Sequence, residues 1–252
     1  FYSMANGNGT NKFFIYPNVT ASLKVVGDLM IAFAGAEGSL KQNTYRELVD
    51  VNNFLSPTLN VNPTDSRYDI YAGLKGKLDN SVSYTLKASY LNEGYKPLFV
   101  TNSYSSFNSN IEGYTFGNSF GVVYDDVKTV ALFGELKADF SQNVTFGING
   151  TFSNYTMKSE AKAWNLPTLR LNSSLNYTIT PKWETGFNLF YVGDRYDREQ
   201  FPFDGFVTII EEVKLDGYVD LNAHLNYKHS DRLTFFLKGN NLASQNYQKW
   251  LG

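Results

Sequence analysis

Residues 169–192 read LRLNSSLNYTIT, then PK, then WETGFNLFYV. In the first arm Leu169, Leu171, Ser173, Leu175, Tyr177 and Ile179 alternate with Arg170, Asn172, Ser174, Asn176, Thr178 and Thr180. Successive side chains of a strand point to opposite faces, so this segment predicts a strand with one apolar and one polar side. Pro181-Lys182 predicts a tight turn, because proline presets φ and donates no ladder hydrogen bond. The return arm puts Trp183, Thr185, Phe187, Leu189 and Tyr191 on one face. The unit is a β-hairpin of roughly ten residues per arm, the length at which a tilted strand crosses a bilayer.

The same alternation recurs along the chain, predicting hairpins near 13–38, 67–91, 130–153, 168–193 and 217–242. The first carries Val19, Ala21, Leu23 and Val25 on its apolar face, and Leu29, Ile31 and Phe33 begin its return strand. Short turns fall near residues 27, 80, 142, 181 and 230. Between hairpins lie longer polar stretches, read as loops at 39–66, 92–117, 154–163 and 194–215. Short turns on one side and long loops on the other is the asymmetry of an outer-membrane barrel. Phe140, Phe146, Tyr177, Trp183 and Tyr227 fall near short turns on apolar faces, as an interfacial aromatic girdle requires.

Composition narrows the class. The chain has 252 residues, 18 Tyr and 20 Phe, but only 18% charged residues and no cysteine. Mean hydropathy is −0.31 and no apolar run reaches the roughly 18 residues of a membrane helix. Alternating strands escape such a scan. The net charge of −2 gives no reason to expect nucleic acid, and the lack of cysteine excludes disulfides and thiolate metal sites. A soluble sandwich would have shorter strands, about 5–6 residues, and a more charged wet face. Here the polar faces are mostly Asn, Ser, Thr and Tyr, and the apolar faces carry no charge. Residues 1–252 are therefore read as one segment of an all-β, antiparallel transmembrane β-barrel of outer-membrane type, with about ten strands. It would lie multi-pass in the outer membrane of a Gram-negative cell, against outer-membrane lipid. The first residues resemble no signal peptide, and Phe1 is no initiator, so the chain is read as a piece of a longer protein or a processed form.

Three phrases carry a family resemblance. Trp164-Asn165-Leu166-Pro167 leads into a strand, Leu189-Phe190-Tyr191-Val192-Gly193 ends one, and Gly239-Asn240-Asn241-Leu242 is followed by Asn246-Tyr247. Together they resemble the barrel of TonB-dependent outer-membrane receptors. The resemblance implies a barrel of about 22 strands, preceded by a plug and a TonB-binding segment that this sequence does not show. It implies the C-terminal part of such a barrel, short of its last strand, and TonB as a partner through an upstream segment. The implied function is energised uptake of a scarce ligand: an iron chelate, cobalamin or a glycan. A plugless structural barrel, associated with other outer-membrane or lipoprotein subunits, is the alternative, and a passive porin the third reading.

No constellation points to an enzyme or a cofactor. His224 and His229 lie on a polar face and in a turn, without the ligands of a zinc site. Gly7-Asn8-Gly9 lacks the strand and helix of a phosphate loop. Asp194, Asp197, Glu199, Asp204, Glu211 and Glu212 could supply oxygen ligands to calcium, but a solvated acidic loop accounts for them as well. Loop aromatics are the candidates for ligand or partner contact: Tyr45, Phe54, Tyr104, Phe107, Tyr114, Phe201, Phe203 and Phe206. Glu135, Lys137, Asp139, Arg170 and Lys238 are the charged residues predicted to face the lumen, toward a plug or one another.

Overall fold

A computed structural model describes residues 2–5, 11–102, 119–203 and 207–251. Its main body is one antiparallel sheet of ten strands. These are β3 (Asn18–Val26), β4 (Met30–Lys41), β5 (Thr64–Asp79), β6 (Val82–Thr101), β7 (Phe120–Ser141), β8 (Val144–Met157), β9 (Leu169–Thr180), β10 (Trp183–Val192), β13 (Tyr218–Ser230) and β14 (Leu233–Gly239). Each pairs with its neighbour in chain order, except that β10 pairs with β13 across an inserted hairpin. That hairpin is β11 (Arg195–Phe203) with β12 (Val207–Leu215), and β1 (Tyr2–Ala5) with β2 (Asn11–Phe14) is a second separate pair. Among the described residues β3 and β14 each leave one edge unpaired.

Register joins the predominantly apolar side of each strand into one continuous face. Leu171 lies opposite Gly150 and Tyr191, Leu175 opposite Phe146 and Phe187, and Leu225 opposite Thr185 and Leu237. That face has nothing packed over it: Leu86 is 53% and Phe235 56% exposed. A soluble sheet would bury such a surface, whereas lipid leaves it as it is. Along the short-turn rim the aromatics touch. Trp183 and Tyr227 have ring centroids 4.5 Å apart, Tyr227 and Phe235 6.5 Å, and Phe140 and Phe146 6.4 Å.

The faces of the first hairpin's return strand emerge only in the structure. Ala32, Ala34 and Ala36 of β4 pair with Leu74, Ala72 and Ile70 and so take the apolar face. Ile31 and Phe33 pair with Lys75 and Gly73 on the polar face instead. Alanine is a weak hydrophobic signal, and the larger side chains of this strand lie on the other side. On the inner face Phe33 and Tyr71 each cover a cross-strand glycine. A Cβ at Gly73 would lie 2.5 Å from the Phe33 ring, and one at Gly35 2.5 Å from the Tyr71 ring. Lys75 Nζ sits 5.5 Å from the Phe33 centroid, an arrangement that lets a cation share the polar face with an aromatic.

Three predicted loops also contain regular structure. β6 and β7 continue past Asn92 through a register shift between Glu93 and Lys96, where Tyr95 adopts φ 54°. The shift breaks the period of two, which is why alternation fades there. Residues 39–66 include α1 (Tyr45–Val51), and 194–215 is largely the β11–β12 hairpin.

Candidate functional site

The long-loop end of the sheet carries a layer with its own core. α1 is nucleated by a capping box: Glu47 N–H donates to Thr44 Oγ1 at 3.2 Å, and Thr44 N–H donates to Glu47 Oε2 at 3.1 Å. Its Leu48 packs with Leu55, Phe120, Leu215 and Leu251. Trp250 closes this cluster edge-on to Phe99 at 5.6 Å and Phe120 at 5.5 Å. A second cluster joins Leu98, Val100 and Trp164. Trp164 is only 2% exposed and donates from Nε1 to Glu160 at 2.7 Å.

Two aspartates tie the connecting segments down in different ways. Asp125 accepts backbone N–H bonds from Asp126, Lys158, Ser159 and Glu160 at 2.8–3.1 Å. Burial opposes its charge, but these donors outweigh it and hold the carboxyl below its ordinary range. Asp197 is fully buried and accepts from Asn165 Nδ2 and Arg198 N–H, each at 2.8 Å, and from Thr101 N–H at 3.3 Å. There burial prevails and raises the carboxyl above its ordinary value.

Beneath this layer a cavity of about 470 Å³ opens between the loops and the upper inner face of β9, β10 and β13. Arg170, Asn172 and Phe190 line it from the sheet, Tyr218 and Asp220 from β13, and Trp250 from the loops. Arg195 is buried in its wall. Its Nη2 donates to the Gln248 carbonyl at 2.8 Å, and its guanidinium lies 5.3 Å from the Tyr218 ring centroid. Tyr218 stacks on Tyr247 at 4.0 Å, and Tyr247 donates its hydroxyl proton to Asp220 at 3.3 Å. Arg195 Nε and Asp220 Oδ1 are buried without a hydrogen-bond partner.

The family model of the TonB-dependent receptor-like β-barrel matches residues 135–242. The pyoverdine outer-membrane receptor FpvA of Pseudomonas aeruginosa PAO1 superposes with TM-score 0.62 at 15% identity, covering 96% of this chain and 33% of that one. Fiu, a ferric-catecholate import receptor of Escherichia coli K12, gives 0.58 at 14% identity, covering 91% and 31%. A variant of the ferric enterobactin receptor PfeA from Pseudomonas aeruginosa gives 0.58 at 14%, covering 91% and 34%. Residues 135–242 are thus related to the β-barrel of TonB-dependent receptors, and the solved receptors share the fold of the chain. It spans about a third of the length of the receptors it matches. No curated protein matches it. The charge-free apolar face and this likeness fit a sheet that lies in a bacterial outer membrane.

The phrases that carry the family resemblance have structural jobs around the cavity. Asn165, at φ 58°, donates to the Phe99 carbonyl and to Asp197, joining the loop before β9 to β6 and β11. Gly193 N–H donates to the Leu169 carbonyl where β10 ends. After β14, Asn241 N–H donates to Asn222 and Leu242 N–H to the Leu221 carbonyl, folding the chain back over β13.

The candidate contact residues scatter. Tyr45 begins α1 and donates to the Leu55 carbonyl at 3.3 Å, and Phe54 stands 58% exposed beside it. Phe201 lies in β11 and Phe203 at its end, while Tyr104, Phe107, Tyr114 and Phe206 fall outside the described residues. On the inner face Glu135 pairs with Lys137 at 3.1 Å along one strand. Asp139 is exposed near the short-turn rim, and Lys238 lies over the Phe236 ring at 5.5 Å. Arg170 is the one of these five that lines the cavity. Sequence reading missed Arg195, Tyr218, Asp220 and Trp250. The first lay in a presumed loop and the others are brought together only by the fold-back after β14. Of the acidic cluster, Asp194 pairs with Lys214 at 2.6 Å, Glu212 with Lys162 at 3.6 Å, and Asp197 is buried. Among the described residues no three His, Asp or Glu side chains converge on a metal position.

Proposed function

We propose that this chain forms part of the wall and loop layer of a larger TonB-dependent receptor barrel of about 22 strands, which imports a scarce ligand such as an iron chelate. The unpaired edges of β3 and β14 carry this reading. Backbone donors and acceptors facing hydrocarbon cost several kcal/mol each, so a spanning sheet must close on further strands. The coverage of 29–35% of the receptors compared supports it. TonB and a plug are the partners this reading requires.

The test is the intact mass and N-terminal sequence of the native polypeptide. A chain about three times this length, as coverage near 33% implies, with a globular segment ahead of the barrel supports energised import. A native chain of barrel strands without a plug overturns it in favour of a structural barrel that works through partner subunits.

A further inference from the structure

The outward face changes character toward the long-loop end. On β7 its side chains run from Phe140 to Val130 without a charge, and the next two are Lys128 and Asp126. On β8 the outward Phe152 gives way to Asn154 and Thr156. Lys158, whose N–H donates to the Asp126 carbonyl at 3.1 Å, continues that row. The stretch from Phe140 to Val130, at about 3.4 Å per residue and a tilt of about 40°, rises roughly 25 Å, the height of the lipid-facing band of an outer-membrane barrel. On the reading that this face meets lipid, Lys128 stands at headgroup level. Long loops are extracellular in such barrels, so the leaflet is the outer one.

Three cations meet there. Arg67, at the register shift between Ser66 and Tyr68, donates from Nη1 to the outward Asn92 and from Nη2 to Asp126 Oδ2, each at 3.3 Å. Lys158 Nζ reaches the same Asp126 oxygen at 3.2 Å. Lys128 lies directly opposite Asn92 across the ladder and forms no ion pair or hydrogen bond among the described residues. Asp65 and Asp126 offset Arg67 and Lys158, and Glu93 pairs with Lys96, which leaves Lys128 unmatched. Tyr68 and Tyr90 stand beside this patch with ring centroids 6.0 Å apart, where an interfacial aromatic pair belongs. The inward side chains of the same strands, Asp125, Thr129 and Ser153, are buried. Lys128, Thr156 and Lys158 are exposed on the other side, toward the bilayer interface.

We propose that this patch seats the phosphate of an anionic lipid of the extracellular leaflet. Lys128 holds the phosphate, Arg67 and Lys158 flank it, and Asn154 and Thr156 offer hydrogen bonds to the rest of the headgroup. A free phosphate would gain little from exposed, screened charges, whereas a leaflet presents phosphates tethered at this height.

The test uses the full-length protein in phosphatidylcholine vesicles, with a bimane on a single cysteine introduced as Val130→Cys, just below the patch. Nitroxide-bearing phosphatidic acid, whose phosphate is unmasked, should quench this label at about fivefold lower mole fraction than nitroxide-bearing phosphatidylcholine. Lys128→Gln combined with Lys158→Gln should bring the two lipids to parity there. The same pair should leave the quenching of a label at Phe140→Cys, on the opposite rim, unchanged. Equal quenching by the two lipids at residue 130 in the parent, or a preference that survives the double substitution, would overturn the proposal while leaving the membrane reading standing. No quenching by either lipid, as when a second copy covers the face, would overturn both.

Discussion

The wall and the loop layer of this molecule are stabilised by opposite arrangements of the same residue types. In the wall, Leu86, Phe187 and Phe235 point outward with nothing packed over them, and every strand between β3 and β14 is held by ladders on both sides. In the loop layer, Leu48, Leu98, Phe120 and Trp164 are buried as in a small soluble domain. Lipid is the solvent that completes the wall, and protein completes the layer. The difference explains how the described parts of the long connections 42–63 and 193–217 are held at one end of the sheet: they share a core and a set of buried carboxylate clamps.

Substitutions should separate the two regions. Trp164→Ala should cost about 3–5 kcal/mol in the layer. Hydrogen exchange should then rise in residues 158–168 and β11 while the wall strands keep their protection. Leu86→Arg should cost about 2–4 kcal/mol when the full-length protein is refolded into lipid vesicles. The adjacent inward Thr85→Arg should cost far less, and equal costs would deny that the faces differ.

Asp125→Ala should release the 158–160 backbone at a cost of about 1–3 kcal/mol for the donors left unpaired, seen as trypsin cleavage at Lys158 or Lys162 under conditions that spare the parent. Because its folded pKa is lowered, the Asp125 contribution is complete above its unfolded value of 3.8 and is lost as pH falls through the lower folded value. Asp197 runs the other way. Its raised folded pKa means that its contribution is present below 3.8 and is lost as pH rises through the folded value. Asp197→Asn should therefore flatten the pH dependence above 3.8, whereas Asp125→Asn should flatten it below. The smallest effect belongs to the exposed Lys24–Asp28 pair at the short-turn rim. Lys24→Ala should leave the denaturant midpoint unchanged, because exposed ion pairs are screened by solvent.

The wall was legible in the sequence because its pattern is local. One residue in two is apolar, and Pro181-Lys182 or Gly27-Asp28 marks where the chain reverses. Legibility failed where small residues carry the pattern, as at Ala32, Ala34 and Ala36, and where a bulge interrupts it, as at Tyr95. The Thr44–Glu47 capping box could have revealed α1, since a Thr three residues before a Glu is a local signal. The cavity could not be read this way. Arg170 and Trp250 are separated by most of the C-terminal third of the chain, and only the fold-back after β14 brings them to one site. Whether a loop aromatic such as Tyr45 contacts a ligand is likewise a property of assembly, and no periodicity encodes it.

The central claim is that the unpacked apolar face meets lipid. Single cysteines placed in turn at residues 83–89 of β6, each carrying a nitroxide in the full-length protein in vesicles, test it directly. Oxygen, which concentrates in the bilayer, should relax labels at Tyr84, Leu86 and Ala88 strongly and those at Ser83, Thr85, Lys87 and Ser89 weakly. Uniform accessibility along the strand, or the reverse alternation, would contradict it.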